Sequence, residues 1–406
     1  MSSRVQANLL KIFLVSISLI TGLSIDIYLP SLNAIQAHFD ASYSAVQLTM
    51  SIYLAGFAIG QLVWGALSDW IGRVKILSMG LIFYLFSTLL CLIANSIEIL
   101  ILARFLQALA ASCVPVSSYA IARDMFDGKE RRQIYSYMSS MISLVPIFAP
   151  IIGGYLQSYY GWQSCFVFLL ITGIIVVLPI QLVVPSHYKS KNNTNTFSFK
   201  RLAHDYLNII TNKTFIFCNL ALVSAFSSLF AFISNSSHIM IDLMHETPER
   251  YPFFITANAV ALFAGGTMNR WLNTRFDSIS VITFGALLMM TGAMWMLINS
   301  FVFPGGVYGF IGSMAVCSFA AAWVIPNAIA ESLTPFAECA GSAAALFGFL
   351  RYMAAFVVAN IVSYFSVMSY ISLPISILIC SAIIYTSMKL YVRYAADQGE
   401  TVLILR

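Results

Sequence analysis

Apolar stretches of about twenty residues follow one another along the whole chain, broken only by short polar turns. Each is long enough, as a helix, to cross a hydrocarbon core of about 30 Å. Lipid offers no partner for backbone N–H and C=O groups left outside a regular structure, so such a chain is expected to fold as a bundle of membrane-spanning helices. A membrane barrel is excluded, because its strands would read as short alternating segments and not as continuous apolar runs. Composition agrees. Hydrophobic residues make up 60% and charged residues only 9%, against about 25% charged in soluble domains, too few to cover a surface facing water.

The runs predict twelve spans. Six start near Leu9, Ser44, Val74, Glu98, Arg132 and Trp162, the first continuing past Leu29, and six more start near Lys213, Tyr251, Ser278, Pro304, Phe336 and Tyr370. Between the two sets lies a polar stretch from Pro185 to Asn212, with Ser, Lys, Asn and Thr crowded at its start, which reads as a linker. The expected organisation is an N-terminal six-helix bundle over residues 1–184, a cytoplasmic linker over 185–212 and a C-terminal six-helix bundle over 213–406. Arg4 and Lys11 flank a first run that is too long for a signal peptide and lacks a small-residue cleavage site, so the first helix is expected to stay.

A net charge of +5 suggests at first a nucleic-acid partner. The placement of the charges gives a different account. With the N-terminus in the cytoplasm, all but three of the 21 Lys and Arg residues fall in cytoplasmic segments; Arg250 is external, and Arg104 and Arg351 lie inside spans. That asymmetry is an orientation signal. It places both termini in the cytoplasm, in a multi-pass protein of the inner membrane, and implies no nucleic acid. The seven cysteines are scattered without a CxxC pair and the five histidines show no ligand spacing, so no metal or other cofactor is expected.

Asp26 stands in the otherwise apolar first run, and an aspartate near the centre of a membrane helix costs about 2.5 to 3.5 kcal/mol, so a charge at depth is costly unless something uses it. Counting along the helices at about 1.5 Å per residue brings Asp26 and Arg104 to similar depth, so the two are expected to meet. One reading is a structural ion pair. The other is proton coupling, because burial and a nearby cation act oppositely on a carboxylate, and moving Asp26 relative to Arg104 changes its proton affinity.

The turn between the second and third spans reads Gly65-Ala-Leu67-Ser-Asp69-Trp-Ile-Gly72-Arg73-Val-Lys75, which resembles the inner-gate motif of the major facilitator superfamily. Its glycines Gly65 and Gly72 allow tight packing and turning, and Asp69 and Arg73 can make charged contacts at helix ends. Arg104-Phe-Leu-Gln107-Ala108 is similar to the arginine motif of helix four in that superfamily. Pro146-Ile-Phe-Ala149-Pro150-Ile-Ile-Gly153-Gly154 is similar to its antiporter motif, with Ala149 for the first glycine. Together with Leu23 to Pro30, Arg123-Asp124 and Gly161-Trp162, these resemble the bicyclomycin and chloramphenicol resistance branch of the drug/proton antiporters. The resemblance implies two six-helix bundles around a central cavity, protons moving in as substrate moves out, Asp26 as the proton site and Arg104 as its partner.

In the second half, Ser224, Ser228, Ala231, Asn235 and His238 recur at helical spacing and form one polar face. Such a face serves substrate or helix–helix hydrogen bonding, and both readings stand. Candidate substrate contacts are Tyr28, Gln107, Ser228, Asn235, Asn258, Trp323, Asn327 and Arg351. Arg351 has no acid at its depth in its own half, so it either anchors an anionic ligand, snorkels, or pairs with Asp26.

The function expected is proton-coupled export of drugs or small amphipathic molecules by alternating access. The alternative is a dedicated exporter of an anionic metabolite such as a carboxylate siderophore. An enzyme is not expected, since no nucleophile elbow, HExxH or paired aspartates occur at matching depth. The expected partners are a small-molecule substrate, protons and the lipid bilayer, with the chain working as a monomer.

Overall fold

The computed structural model describes residues 3–180, 199–247, 250–303, 305–336, 340–366 and 371–397. The first half of the expected linker, with Cys339 and Glu338, lies outside them. The chain divides into two compact units, Met1–Ser198 and Phe199–Arg406.

The first unit contains α1 (Ser3–Asp26), α2 (Leu32–Phe39), α3 (Tyr43–Ile71), α4 (Arg73–Leu92), α5 (Ile97–Ala111), α6 (Cys113–Met125), α7 (Gly128–Tyr160) and α8 (Gln163–Val177). The second contains α9 (Phe199–Thr211), α10 (Lys213–Ser237), α11 (Tyr251–Leu272), α12 (Ser278–Val302), α13 (Val307–Leu333), α14 (Ala340–Ser366) and α15 (Ser372–Asp397), and a π-helical turn, His238–Leu243, extends α10. Among the described residues nine stretches are long and apolar enough to cross a membrane. The other expected spans fall on α7, α8 and α11, of which α8 is a short apolar helix.

Two expected spans are each broken, and one rule explains both. Proline has no N–H and its ring collides with the carbonyl four residues back. Pro30 therefore leaves the Asp26 carbonyl without its helical donor, and α1 ends at Asp26 and not beyond Leu29; a 3-10 turn, Leu29–Ser31, then leads into α2. Pro115 acts likewise on Ala111, the last residue of α5, before the chain resumes as α6. Pro146, Pro150 and Pro326 sit inside the continuous helices α7 and α13. The second half of the expected linker is itself helical: α9 packs Tyr206 and Ile209 against Phe215, Phe336, Ala343 and Leu346 of the second unit.

Glycine sets the closest helix approaches. A methyl group at Gly56 of α3 would run into the Phe105 carbonyl of α5, and one at Gly80 of α4 would run into the Cys113 thiol of α6. The second unit repeats the arrangement in the corresponding helices, with Gly265 of α11 against the Phe319 carbonyl and Gly292 of α12 against the Cys317 thiol, both on α13. Gly153 of α7 lies on the Ile27 carbonyl just beyond α1. Small residues at such crossings let backbones touch, which is how helices associate without a hydrophobic drive between them.

This packing gives a paired test. Gly153→Ala has to displace backbone and is expected to destabilise the protein by about 1 to 3 kcal/mol, whereas Gly266→Ala, with no atom within 4 Å of the added methyl, is expected to be neutral or stabilising. Thermal unfolding of the two variants side by side checks it; equal midpoints would contradict the close contact at Ile27.

Candidate functional site

Arg104 has no exposed surface. Its guanidinium carbon lies 4.5 Å from the Tyr53 ring centroid, 4.7 Å from that of Tyr28 and 5.9 Å from that of Phe166. One terminal nitrogen donates to the Ser24 carbonyl at 3.0 Å and to Gln107 Oε1 at 2.6 Å. Arg104 and Gln107 share a face of α5 at i, i+3 spacing, which brings the two side chains within reach of each other. Gln107 Nε2 donates to Thr88 Oγ1 at 2.8 Å, and Ser24 Oγ meets the Tyr84 hydroxyl at 2.7 Å. Tyr84 and Thr88 are four residues apart on α4, and Thr88 Oγ1 donates to the Tyr84 carbonyl at 2.7 Å. A polar ring thus closes through α1, α4 and α5 around the cation. Tyr28 is fixed in turn by Thr49, their oxygens 2.6 Å apart. Arg104 Nε and its second terminal nitrogen are buried without a hydrogen-bond partner among the described residues.

The expected meeting of Asp26 with Arg104 does not occur in this arrangement: no ion pair or hydrogen bond joins them among the described residues. Depth along the helix is right, but azimuth is not. Ser24 faces α4 through its bond to Tyr84, and two residues further on the helix has turned by about 200°, which carries Asp26 away from that side. Asp26 is only 6% exposed, and its carboxylate has no hydrogen-bond or ion-pair partner among the described residues. It also stands at the carbonyl end of α1, the end of a helix dipole that disfavours negative charge.

At the turn between α3 and α4, Gly72 adopts φ of 103°, which favours glycine, and serves as the last cap of one helix and the first of the next. Arg73 is 7% exposed; it donates to the Ala120 carbonyl at 2.9 Å and forms a short ion pair with Asp124 of α6. Gly65 lies within α3, as does Asp69, whose side chain is outside the described set. Asp124 as the partner of Arg73 was not foreseen from sequence; only its place in the Arg123-Asp124 pair at the end of helix four marked it. Of the antiporter-motif residues, Pro146, Pro150, Gly153 and Gly154 all lie on α7, with Gly153 making the contact to Ile27.

The polar candidates of the second unit are engaged within it. Ser228 donates to the Ser224 carbonyl at 2.9 Å. Asn235 donates to the Ala231 carbonyl at 2.8 Å and to the Ala359 carbonyl of α14 at 3.4 Å. Two rungs tie α11 to α13: Ser318 donates to Asn258 Oδ1 at 2.7 Å and Asn327 donates to Asn269 Oδ1 at 2.8 Å. Trp323 packs with Leu272 and Val281 and meets Phe319 edge-on. Arg351 forms a separate cluster with Phe226, Phe347 and Tyr352. Among the candidates, then, Tyr28, Arg104 and Gln107 come together in the first unit, while those of the second unit do not form one group. Tyr53, Tyr84, Thr88 and Phe166 complete the arginine ring and were not singled out in the sequence, since buried aromatics and threonines are common in any helical core.

A family model described as the Major Facilitator Superfamily matches residues 14–359. The chain is 26% identical over 353 residues to a bicyclomycin resistance protein homolog of Haemophilus influenzae, covering 86% of this chain and 87% of that one. It is 27% identical over 335 residues to a chloramphenicol resistance protein of Pseudomonas aeruginosa, covering 81% and 77%. Among solved structures it is similar in fold to a bacterial homolog of the human lysosomal transporter Spinster in an inward-facing and occupied conformation, with a TM-score of 0.71 over 96% of each chain at 14% identity.

The Arg73–Asp124 pair carries its own prediction. Asp124→Asn removes the counter-charge from a largely buried guanidinium and is expected to cost about 1 to 3 kcal/mol of stability, and Arg73→Gln added to it is expected to recover part of that loss. A double-mutant cycle by thermal unfolding measures the coupling; strictly additive effects would show that the pair contributes nothing.

Proposed function

The chain belongs to the major facilitator superfamily and is a multi-pass membrane transporter, not an enzyme; from that membership we propose that it is a proton-coupled exporter of drugs or other small amphipathic molecules, working by alternating access as a monomer in the inner membrane with both termini in the cytoplasm. The observation that carries this reading is Asp26, a buried carboxylate with no partner among the described residues, standing where Pro30 interrupts the first span. Interrupted helices at depth are where transporters gather coupling ions and substrate. A carboxylate in such a place binds or releases a proton as its surroundings change.

Arg104 is the second element of the proposal. Its hydrogen bond to the Ser24 carbonyl anchors it one half-turn from Asp26, on the other side of α1. A small rotation or displacement of the end of α1 therefore changes how strongly the caged cation acts on the carboxylate. Gly65, Asp69, Gly72 and Arg73, with Asp124 added, are proposed as the inner gate, where contacts made in one conformation and broken in another bias the equilibrium between states. One proton crossing ~100 mV releases about 2.3 kcal/mol, enough for roughly a fifty-fold substrate gradient, so one carboxylate is sufficient. The similarity to proteins named for bicyclomycin and chloramphenicol resistance supports drugs as the substrate class.

Asp26→Asn keeps the size of the side chain and removes its exchangeable proton. The variant is expected to insert and fold at wild-type levels and to lose gradient-driven efflux of ethidium from energised cells at least tenfold. Uphill efflux retained in the asparagine variant removes Asp26 from the mechanism.

A further inference from the structure

Arg351, on α14, has no part in the coupling scheme, yet its surroundings are as specific as those of Arg104. Its guanidinium carbon lies 4.6 Å from the Tyr352 ring centroid, 4.7 Å from that of Phe226 and 5.5 Å from that of Phe347. The rings form a continuous cluster: Phe226 and Phe230 are 4.5 Å apart, and Tyr352 meets Phe226 edge-on at 5.1 Å. Helical spacing builds it, since Phe226 and Phe230 are one turn apart on α10, Phe347 and Arg351 are one turn apart on α14, and the two helices pack together.

The two ringed arginines differ in one respect. Arg104 is sealed from solvent, with one terminal nitrogen held by two acceptors of the protein, although its Nε and second terminal nitrogen find none among the described residues. Arg351 and the four rings around it are only half-buried, and Arg351 makes no hydrogen bond or ion pair among the described residues, its Nε being buried without an acceptor. A guanidinium is attracted to aromatic rings through its faces, whereas its N–H groups point outward in its own plane. The packed rings hold the guanidinium in place, and its two terminal nitrogens, unlike Nε, are not buried, so the fork they form is left open. That fork matches a carboxylate, and a cation within a membrane span calls for a counter-charge that the described residues do not supply.

We propose that Arg351 with Phe226, Phe230 and Tyr352 forms a binding site for planar aromatic carboxylates, the acid group taken by the guanidinium fork and the ring stacked within the aromatic cluster. The site deepens the export reading by assigning a substrate class, and it rests on that reading for its physiological use; binding itself is measured without transport.

The full-length protein in lipid nanodiscs is titrated by calorimetry with 1-naphthoate, its uncharged analogue 1-naphthamide, and cyclohexanecarboxylate, which keeps the charge and lacks the aromatic ring. The wild type is expected to bind naphthoate at least tenfold more tightly than either analogue. Arg351→Gln is expected to weaken naphthoate by roughly tenfold to a hundredfold, the range for a lost hydrogen bond to a charged group, and to erase the preference over naphthamide. Arg351→Lys keeps the charge without the fork and is expected to fall between; Phe226→Leu is expected to weaken naphthoate and leave cyclohexanecarboxylate unchanged, and these two variants decide the matter if glutamine disrupts folding. No naphthoate binding by the wild type, or a preference for it that survives loss of Arg351, overturns the proposal. Failure of the export reading shows separately, as ethidium efflux indifferent to Asp26→Asn, and neither result determines the other.

Discussion

A positive charge with no exposed surface, held without a single carboxylate among the described residues, is the interaction on which the first unit is organised. Arg104 is accommodated by three ring faces, a backbone carbonyl and an amide oxygen. Cation–π contacts contribute about 0.5 to 2 kcal/mol each and hydrogen bonds to charged groups about 1.5 to 3 kcal/mol, so the set together offsets a burial that one contact could not. An acid beside the arginine would have been the simpler solution. It would also have tied up the carboxylate, and the proposed coupling depends on Asp26 being unattached.

The interruption of α1 follows from the same need for backbone satisfaction that forces the chain into helices. Pro30 breaks the helix at the residue that carries the buried acid, and the short turn between α1 and the 3-10 turn brings Tyr28 to the guanidinium and the Ile27 carbonyl to Gly153. Residues 26 to 28 therefore connect one unpartnered charge, one glycine contact and one ring of the cage within three positions. Any displacement of this segment is felt at all three.

Much of this was legible in the chain itself. Apolar run length gave the helices, and the turn from Gly65 to Lys75 gave the family. What escaped was angular. Depth arithmetic says how far along its axis a residue lies and nothing about which way it faces, so Asp26 and Arg104 were expected to meet when α1 turns one away from the other. Helix breaks escaped as well, although Pro30 and Pro115 each act on a fixed carbonyl four residues earlier. Asp124, Tyr53 and Phe166 could not be read because their roles come from contacts between helices distant in sequence. Asn258 and Asn327 were visible as polar residues in apolar spans, but whether such a group serves a ligand or a neighbouring helix depends on what lies opposite, and here Ser318 and Asn269 lie opposite.

The glycine contacts that recur in both units have a consequence for how such a chain diverges. In each unit, one glycine of the second span lies on a carbonyl of the fourth, and one glycine of the third lies on a cysteine of the fourth. Half of these contacts are with main chain and half with a cysteine side chain, and at each glycine they ask of the sequence that one atom be missing. The remaining positions on the same helices are released from the task of fixing the scaffold. An acid and a sealed arginine can then stand in one half while an open, ring-bound arginine stands in the other, so that two halves with a shared skeleton become chemically unlike without either losing its shape.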